Sequence, residues 1–116
     1  MFEKLVGSVV WLKWPDDPKQ DLRPGIVVSA WIAESGETMC RVMYGTSKLP
    51  KASWVVQVDD VDAQGLGLNR ATCFDPGKLC ITAAKTLRVA GHVDDVLGLR
   101  EALSEARKLF LVSRRR

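Results

Sequence analysis

The hydrophobic pattern of this chain changes period once, and that change limits the folds open to it. Before Asp94 the apolar residues come in short β-branched or aromatic runs punctuated by glycine and proline. From Asp94 onward Val96, Leu99, Leu103, Ala106 and Phe110 fall at helical spacing, with Asp94 and Asp95 placed to cap and Arg107 and Lys108 at the end. Short antiparallel strands followed by one amphipathic helix must bend their sheet to bury it, with the helix plugging one side. The expected fold class is therefore mainly β with a C-terminal helix, arranged as a small, strongly bent antiparallel barrel.

The runs can be taken in order. Ser8-Val9-Val10-Trp11-Leu12 reads as a first strand after Gly7. Lys13 to Leu22 carries two prolines and several charges and reads as a loop. A second strand starts at Gly25 and continues to Ile32, and Glu34-Ser35-Gly36-Glu37 supplies a hairpin turn. The third, Met39 to Tyr44, alternates Cys40, Val42 and Tyr44 against Met39, Arg41 and Met43. Trp54 to Val58 is a fourth strand, Asp59-Asp60-Val61-Asp62 a solvated acidic turn, and Gly65-Leu66-Gly67-Leu68 a connection. The fifth strand, Lys78 to Thr82, follows the turn Asp75-Pro76-Gly77.

One domain over residues 1–112 with a basic tail at 113–116 accounts for the length of 116 residues. The net charge of +3 equals the three terminal arginines, so basicity alone argues weakly for nucleic acid. Cys40, Cys73 and Cys80 are an odd set without a C-x-x-C pair and read as buried thiols. No apolar run is long enough to span a bilayer, and Met1-Phe2-Glu3-Lys4 lacks the layout of a signal peptide, so no membrane partner and a cytoplasmic address are expected.

Two stretches carry candidate chemistry. Pro24 restricts the residue before it, so Arg23 should leave the loop in a fixed direction at the mouth of a strand and offer several donors to a phosphate; a surface pairing with Asp21 or Asp16 is the plain alternative. Thr46 and Ser47 sit on a Gly45 hinge with Lys48 next, which collects hydroxyls, amides and a cation at one strand end, although such triplets are also common turns. If strands two and three are neighbours, Arg23 and Thr46 share a face.

These residues resemble the MazF/PemK family of toxin endoribonucleases, whose fold is also similar to that of CcdB. The matching features are Gly7 to Leu12, the proline-bearing loop, Arg23-Pro24-Gly25-Ile26-Val27-Val28, Tyr44-Gly45-Thr46-Ser47, Gly65-Leu66 followed by Thr72-Cys73-Phe74-Asp75, Gly91, and the segment from Val96 to Ala106. The resemblance implies a CcdB/PemK-type barrel and sequence-selective, metal-independent cutting of single-stranded RNA such as mRNA, without a cofactor. It also implies a homodimer and a cognate antitoxin. The family arginine falls on Arg23 and the family threonine on Thr46. Asp21 or a carboxylate of the Asp16-Asp17 pair is the candidate base, and Lys13, Trp14, Lys19, Gln20, Ser47 and Lys48 are candidate RNA contacts. The histidine that some members carry in the first loop is missing; His92 stands before the terminal helix, where packing or capping is its expected role.

Two rival classes remain. The barrel could be a non-catalytic binding module that keeps the toxin fold, or an adaptor that binds peptides through Trp14, Trp31 and Trp54.

Overall fold

The apolar runs fold into one six-stranded antiparallel sheet in the computed structural model, which describes residues 2–15, 17–48 and 55–114. In chain order the elements are β1 (Ser8–Lys13), β2 (Leu22–Ile32), β3 (Thr38–Thr46), β4 (Val56–Val58), α1 (Asp60–Gly65), β5 (Thr72–Ala83), β6 (Arg88–His92) and α2 (Leu99–Arg114). The strand order is β4-β5-β3-β2-β1-β6, curled into a half-barrel. The mainly β architecture with a terminal helix is as expected.

Curling follows from irregular pairing. The register shifts between Val9 and Val10, between Val27 and Ser29, and between Met43 and Tyr44, and each shift bends the sheet. A bent sheet buries apolar side chains on both faces. One face packs Val9, Ile26, Met43 and Phe74 against α1 and α2, through Ala63, Leu99 and Leu103. The other gathers Val10, Leu12, Trp14, Val27, Cys40 and Val42. The two distant parts of the chain meet through glycine. A Cβ on Gly91 of β6 would stand 2.5 Å from the Leu66 carbonyl oxygen, and Gly67, at φ +79°, lies against the Ala90 backbone. Only glycine permits that approach.

Several boundaries differ from expectation, each for a tertiary reason. β2 begins at Leu22, three residues before Gly25, because Leu22, Arg23 and Pro24 pair with Lys13, Leu12 and Trp11 of β1. Pro24 is tolerated there because only the β1 side of the ladder is formed at its position. Gly45 is no hinge: it is a buried strand residue that lets the Phe74 ring approach, and β3 runs through Thr46. Asp75-Pro76-Gly77 does not open a strand but bulges from the long β5, whose Asp75 pairs with Tyr44 and Leu79 with Met43. The acidic turn is the start of α1, where the Asp59 side chain accepts from the Asp62 N–H. The short strand β6 was not anticipated. The terminal helix starts at Leu99, not Asp94, because Gly98 adopts φ +82° and residues Val93–Asp95 form a separate 3₁₀ turn. It then continues past Arg107 and Lys108 to Arg114. Trp54, Asp16 and the last two arginines lie outside the described residues; among the described residues no helix is long and apolar enough to cross a membrane.

Candidate functional site

The β2–β3 pairing decides where the candidate residues meet. Its last paired residues are Gly25 and Tyr44; continuing the register by two residues sets Arg23 across from Thr46. Residues opposed in this way have side chains on one face. Both line a single cleft of about 210 Å³, together with Ser47, Asn69, Arg70 and Thr72. Of these, Asn69 and Arg70 were not singled out in the sequence, and Thr72 only as part of the motif Thr72-Cys73-Phe74-Asp75 and not as a site residue. The three come from the connection after α1 and the start of β5, which sheet curvature brings to the end of β3; only the contacts made by the fold place them at the cleft.

Arg23 is anchored from behind. Its Nε donates to Asp17 Oδ2 at 3.2 Å, and the two side chains are 32% and 12% exposed. The carboxylate that reaches the arginine is therefore Asp17 and not Asp21, which is exposed. Asp17 also accepts from the Lys19 N–H at 3.0 Å, while Gln20, at φ +55°, donates through Nε2 to the Asp17 carbonyl at 2.8 Å. The Lys19 amide above all, with Arg23 adding, holds the Asp17 carboxyl below its ordinary pKa, and the same pairing raises that of Arg23. An ionised Asp17 with both oxygens engaged is a poor proton acceptor and a good brace. The bracing uses Nε, which leaves the terminal guanidinium nitrogens as donors.

At the other side of the cleft, Thr46 is 7% exposed and its Oγ1 accepts from the Lys48 N–H at 3.2 Å. An oxygen that accepts still has its own proton to donate. Ser47 and Lys48 are exposed at the rim. Arg23 also borders a second cleft of about 190 Å³ with Trp14, Asp17, Tyr44 and Lys78, the Lys78 ammonium standing 4.1 Å from the Tyr44 ring centroid.

The remaining expected contacts divide. Lys13, Lys19 and Gln20 are exposed along the loop that carries Asp17. Trp14, expected as a surface on which bases stack, is instead 2% exposed, edge-on to Tyr44 at 5.0 Å in the core. It packs because the loop turns back at once, the Asp17 N–H bonding the Trp14 carbonyl at 3.0 Å. With Trp14 buried and Trp31 half-buried under Arg41 at 5.5 Å, the peptide-adaptor reading loses two of its three aromatics. His92 caps the 3₁₀ turn, its Nδ1 accepting from the Asp94 N–H at 3.1 Å. Cys40 and Cys73 are buried as expected, whereas Cys80 is half-buried. Among the described residues no group of three or more His, Cys, Asp or Glu side chains could hold a metal ion.

No protein-family model matches the chain, and no curated protein matches it either. Solved structures do. The Mycobacterium tuberculosis toxin MazF-mt6 superposes with a TM-score of 0.64 at 18% identity, covering 86% of this chain and 91% of that one. A second toxin structure, described as an Mtb toxin, gives 0.57 at 21% identity over 74% of this chain and 89% of that one. The chain thus has the MazF-like toxin fold.

Proposed function

We propose that the chain is a toxin-type endoribonuclease that cuts single-stranded RNA without a metal or cofactor. The observation that carries this reading is the convergence of Arg23 and Thr46 on one cleft of a MazF-like fold. In the reaction a ribose 2′-oxygen bonds to the adjacent phosphorus, the bond to the 5′-oxygen breaks, and the products end in a 2′,3′-cyclic phosphate and a 5′-hydroxyl. Charge builds on the non-bridging oxygens in the transition state, and donors already aimed at them lower its energy most. The terminal nitrogens of Arg23 and the Thr46 hydroxyl are those donors. Asp17 positions Arg23. Asp21, exposed two residues before Arg23, takes the 2′-hydroxyl proton, and solvent supplies a proton to the departing 5′-oxygen. Lys13, Lys19, Gln20, Ser47 and Lys48 hold the flanking strand.

Under this reading the protein works as a homodimer in the cytoplasm, is restrained by a cognate antitoxin, and arrests growth when that antitoxin is lost. The deciding experiment incubates purified protein with a long mixed-sequence RNA in EDTA and maps the ends. Discrete cuts bearing cyclic phosphate are expected, reduced by about 10²–10³-fold in Arg23→Ala and in Thr46→Ala, the scale of losing one transition-state donor. If either variant cuts at the parent rate, the site assignment is wrong. If cutting needs an added divalent ion, the mechanism is wrong. A folded protein that does not cut belongs to the non-catalytic binding class instead.

A further inference from the structure

The cleft that holds Arg23 and Thr46 does not end with them. It shares Trp11, Leu22 and Asn69 with a neighbouring cleft of about 330 Å³ whose far side is Arg88. The sheet explains the continuity. Trp11 of β1 pairs with Pro24 on one side and with Arg88 on the other, so these three side chains form a row across β2, β1 and β6 on the face that α1 and α2 cover, and Arg23, the next residue of β2 and itself paired with Leu12, borders the cleft at the end of that row. Trp11 is half-buried, seated on the core that α1 and α2 cover, which fixes its ring while leaving part of it accessible.

The charge along this trough is one-sided. Arg23, Arg70 and Arg88 line it, and among the described residues no carboxylate does. The nearest acids are Asp17, which braces Arg23 at 3.2 Å and lines the second cleft rather than this one, and the exposed Asp21 beside Leu22; on the α1 side Asp59 caps the helix, Asp60 accepts from the Ala71 N–H at 2.7 Å, and Asp62 borders a different cleft beyond Ser47. A polyanion seated at Arg23 is therefore drawn towards Arg88 and repelled on the α1 side.

We infer that the strip formed by Trp11, Asn69 and Arg88 is a second nucleotide subsite, which takes the unpaired nucleotide beside the phosphate held at Arg23 and Thr46. The inference rests on the nuclease reading for the direction of the strand, but the recognition chemistry is its own. Trp11 stacks the base, as aromatic platforms do for single strands. The Asn69 amide, with donor and acceptor side by side, pairs with the base edge, which makes it the residue of this strip that discriminates between bases. Arg88 holds the next phosphate. A duplex is excluded, because its bases are already stacked on each other.

The test uses a short, fluorescein-labelled, mixed-sequence 2′-O-methyl oligoribonucleotide, which binds but has no 2′-hydroxyl to react. Arg88→Ala and Asn69→Ala, both at exposed positions, should each weaken binding roughly 5- to 10-fold. Arg88→Ala should also reduce the slope of log K against log salt by about 0.7, one phosphate contact on a single strand. An unlabelled oligonucleotide of the same sequence should quench intrinsic tryptophan emission, and Trp11→Phe should remove that quench. Parent-like affinity and salt slope in both alanine variants would overturn the subsite, and a quench that survives in Trp11→Phe would overturn stacking on Trp11. Cutting is scored separately on all-ribose RNA. A protein that cuts, yet binds independently of Arg88 and Asn69, keeps the nuclease reading and loses the subsite. One that binds through them and never cuts does the reverse, and one that does neither loses both.

Discussion

Arg23 stands across from Thr46 because the β2–β3 register, carried two residues beyond the Gly25–Tyr44 pair, aligns them on one face of the sheet. The arginine owes its position to pairing with β1 and to Asp17, and the threonine to the end of β3.

Asp17→Asn should lower the rate of RNA cutting by roughly 10- to 100-fold, because a guanidinium freed from its brace is displaced from the phosphate. The expected signature is a fall in kcat with little change in KM, a slightly lowered melting temperature with the fold retained, and partial rescue in Asp17→Glu, which restores the charge. An Asp17→Asn enzyme with parent kcat would show that the brace is not needed.

Acid should loosen the protein only below the ordinary carboxylate range. Asp17, through the Lys19 amide and Arg23, and Asp94, through Arg100 at 2.9 Å, both titrate lower in the folded chain than in the unfolded one. Between the two values the unfolded state binds more protons. The stability these groups contribute is thus fully present above about pH 4 and is lost as pH falls through the lowered folded values. Urea unfolding followed from pH 6 downward should show this loss, and Asp17→Asn combined with Asp94→Asn should flatten it. An unchanged pH dependence in the double variant would refute the assignment.

Gly91→Ala should destabilise the fold by about 1–3 kcal/mol, the scale of inserting a methyl group into closed packing. The new Cβ would press on the Leu66 carbonyl and part β6 from the exit of α1. Gly36→Ala is the contrasting variant: unlike Gly91 it has positive φ, and it has open space around it, so its cost is backbone strain alone. Chemical denaturation of both variants measures contact and strain separately, and a Gly91→Ala variant as stable as the parent would mean that the Gly91 contact has no energetic weight.

Thiol labelling should proceed at Cys80 first. Burial raises the pKa of the Cys40 and Cys73 thiols and keeps them from reagent. Mass spectrometry after brief exposure to a maleimide should find one modified cysteine, with the other two reacting only when urea is added. Early modification of Cys40 would contradict its burial.

Some of this was legible in one dimension. Alternation of Cys40, Val42 and Tyr44 marked a strand, and the spacing of Leu99, Leu103 and Ala106 marked the buried face of α2, because period is a local property of the backbone. Motif resemblance singled out Arg23 and Thr46 as candidates, and the fold brings both to one cleft. Local rules misjudged Trp14, which the loop composition left outside and the fold put in the core, and Asp75-Pro76-Gly77, which looks like a turn and is a bulge within a long strand. They missed β6, whose five residues carry little alternation of their own and are held by pairing with β1.

By itself, then, the order of residues determined the class of the fold, the helix that closes it, and which arginine and threonine to watch. Only the tertiary structure decided that Asp17 holds that arginine, that Trp11 and not Trp14 is the accessible aromatic at the cleft, and that Asn69, Arg70 and Arg88 border the same trough. The reason is physical. Strand and helix periods are set by neighbours along the chain, whereas register, bulges and sheet curvature depend on contacts between residues far apart in sequence, and a shift of one residue in any of them would turn a different side chain towards the cleft.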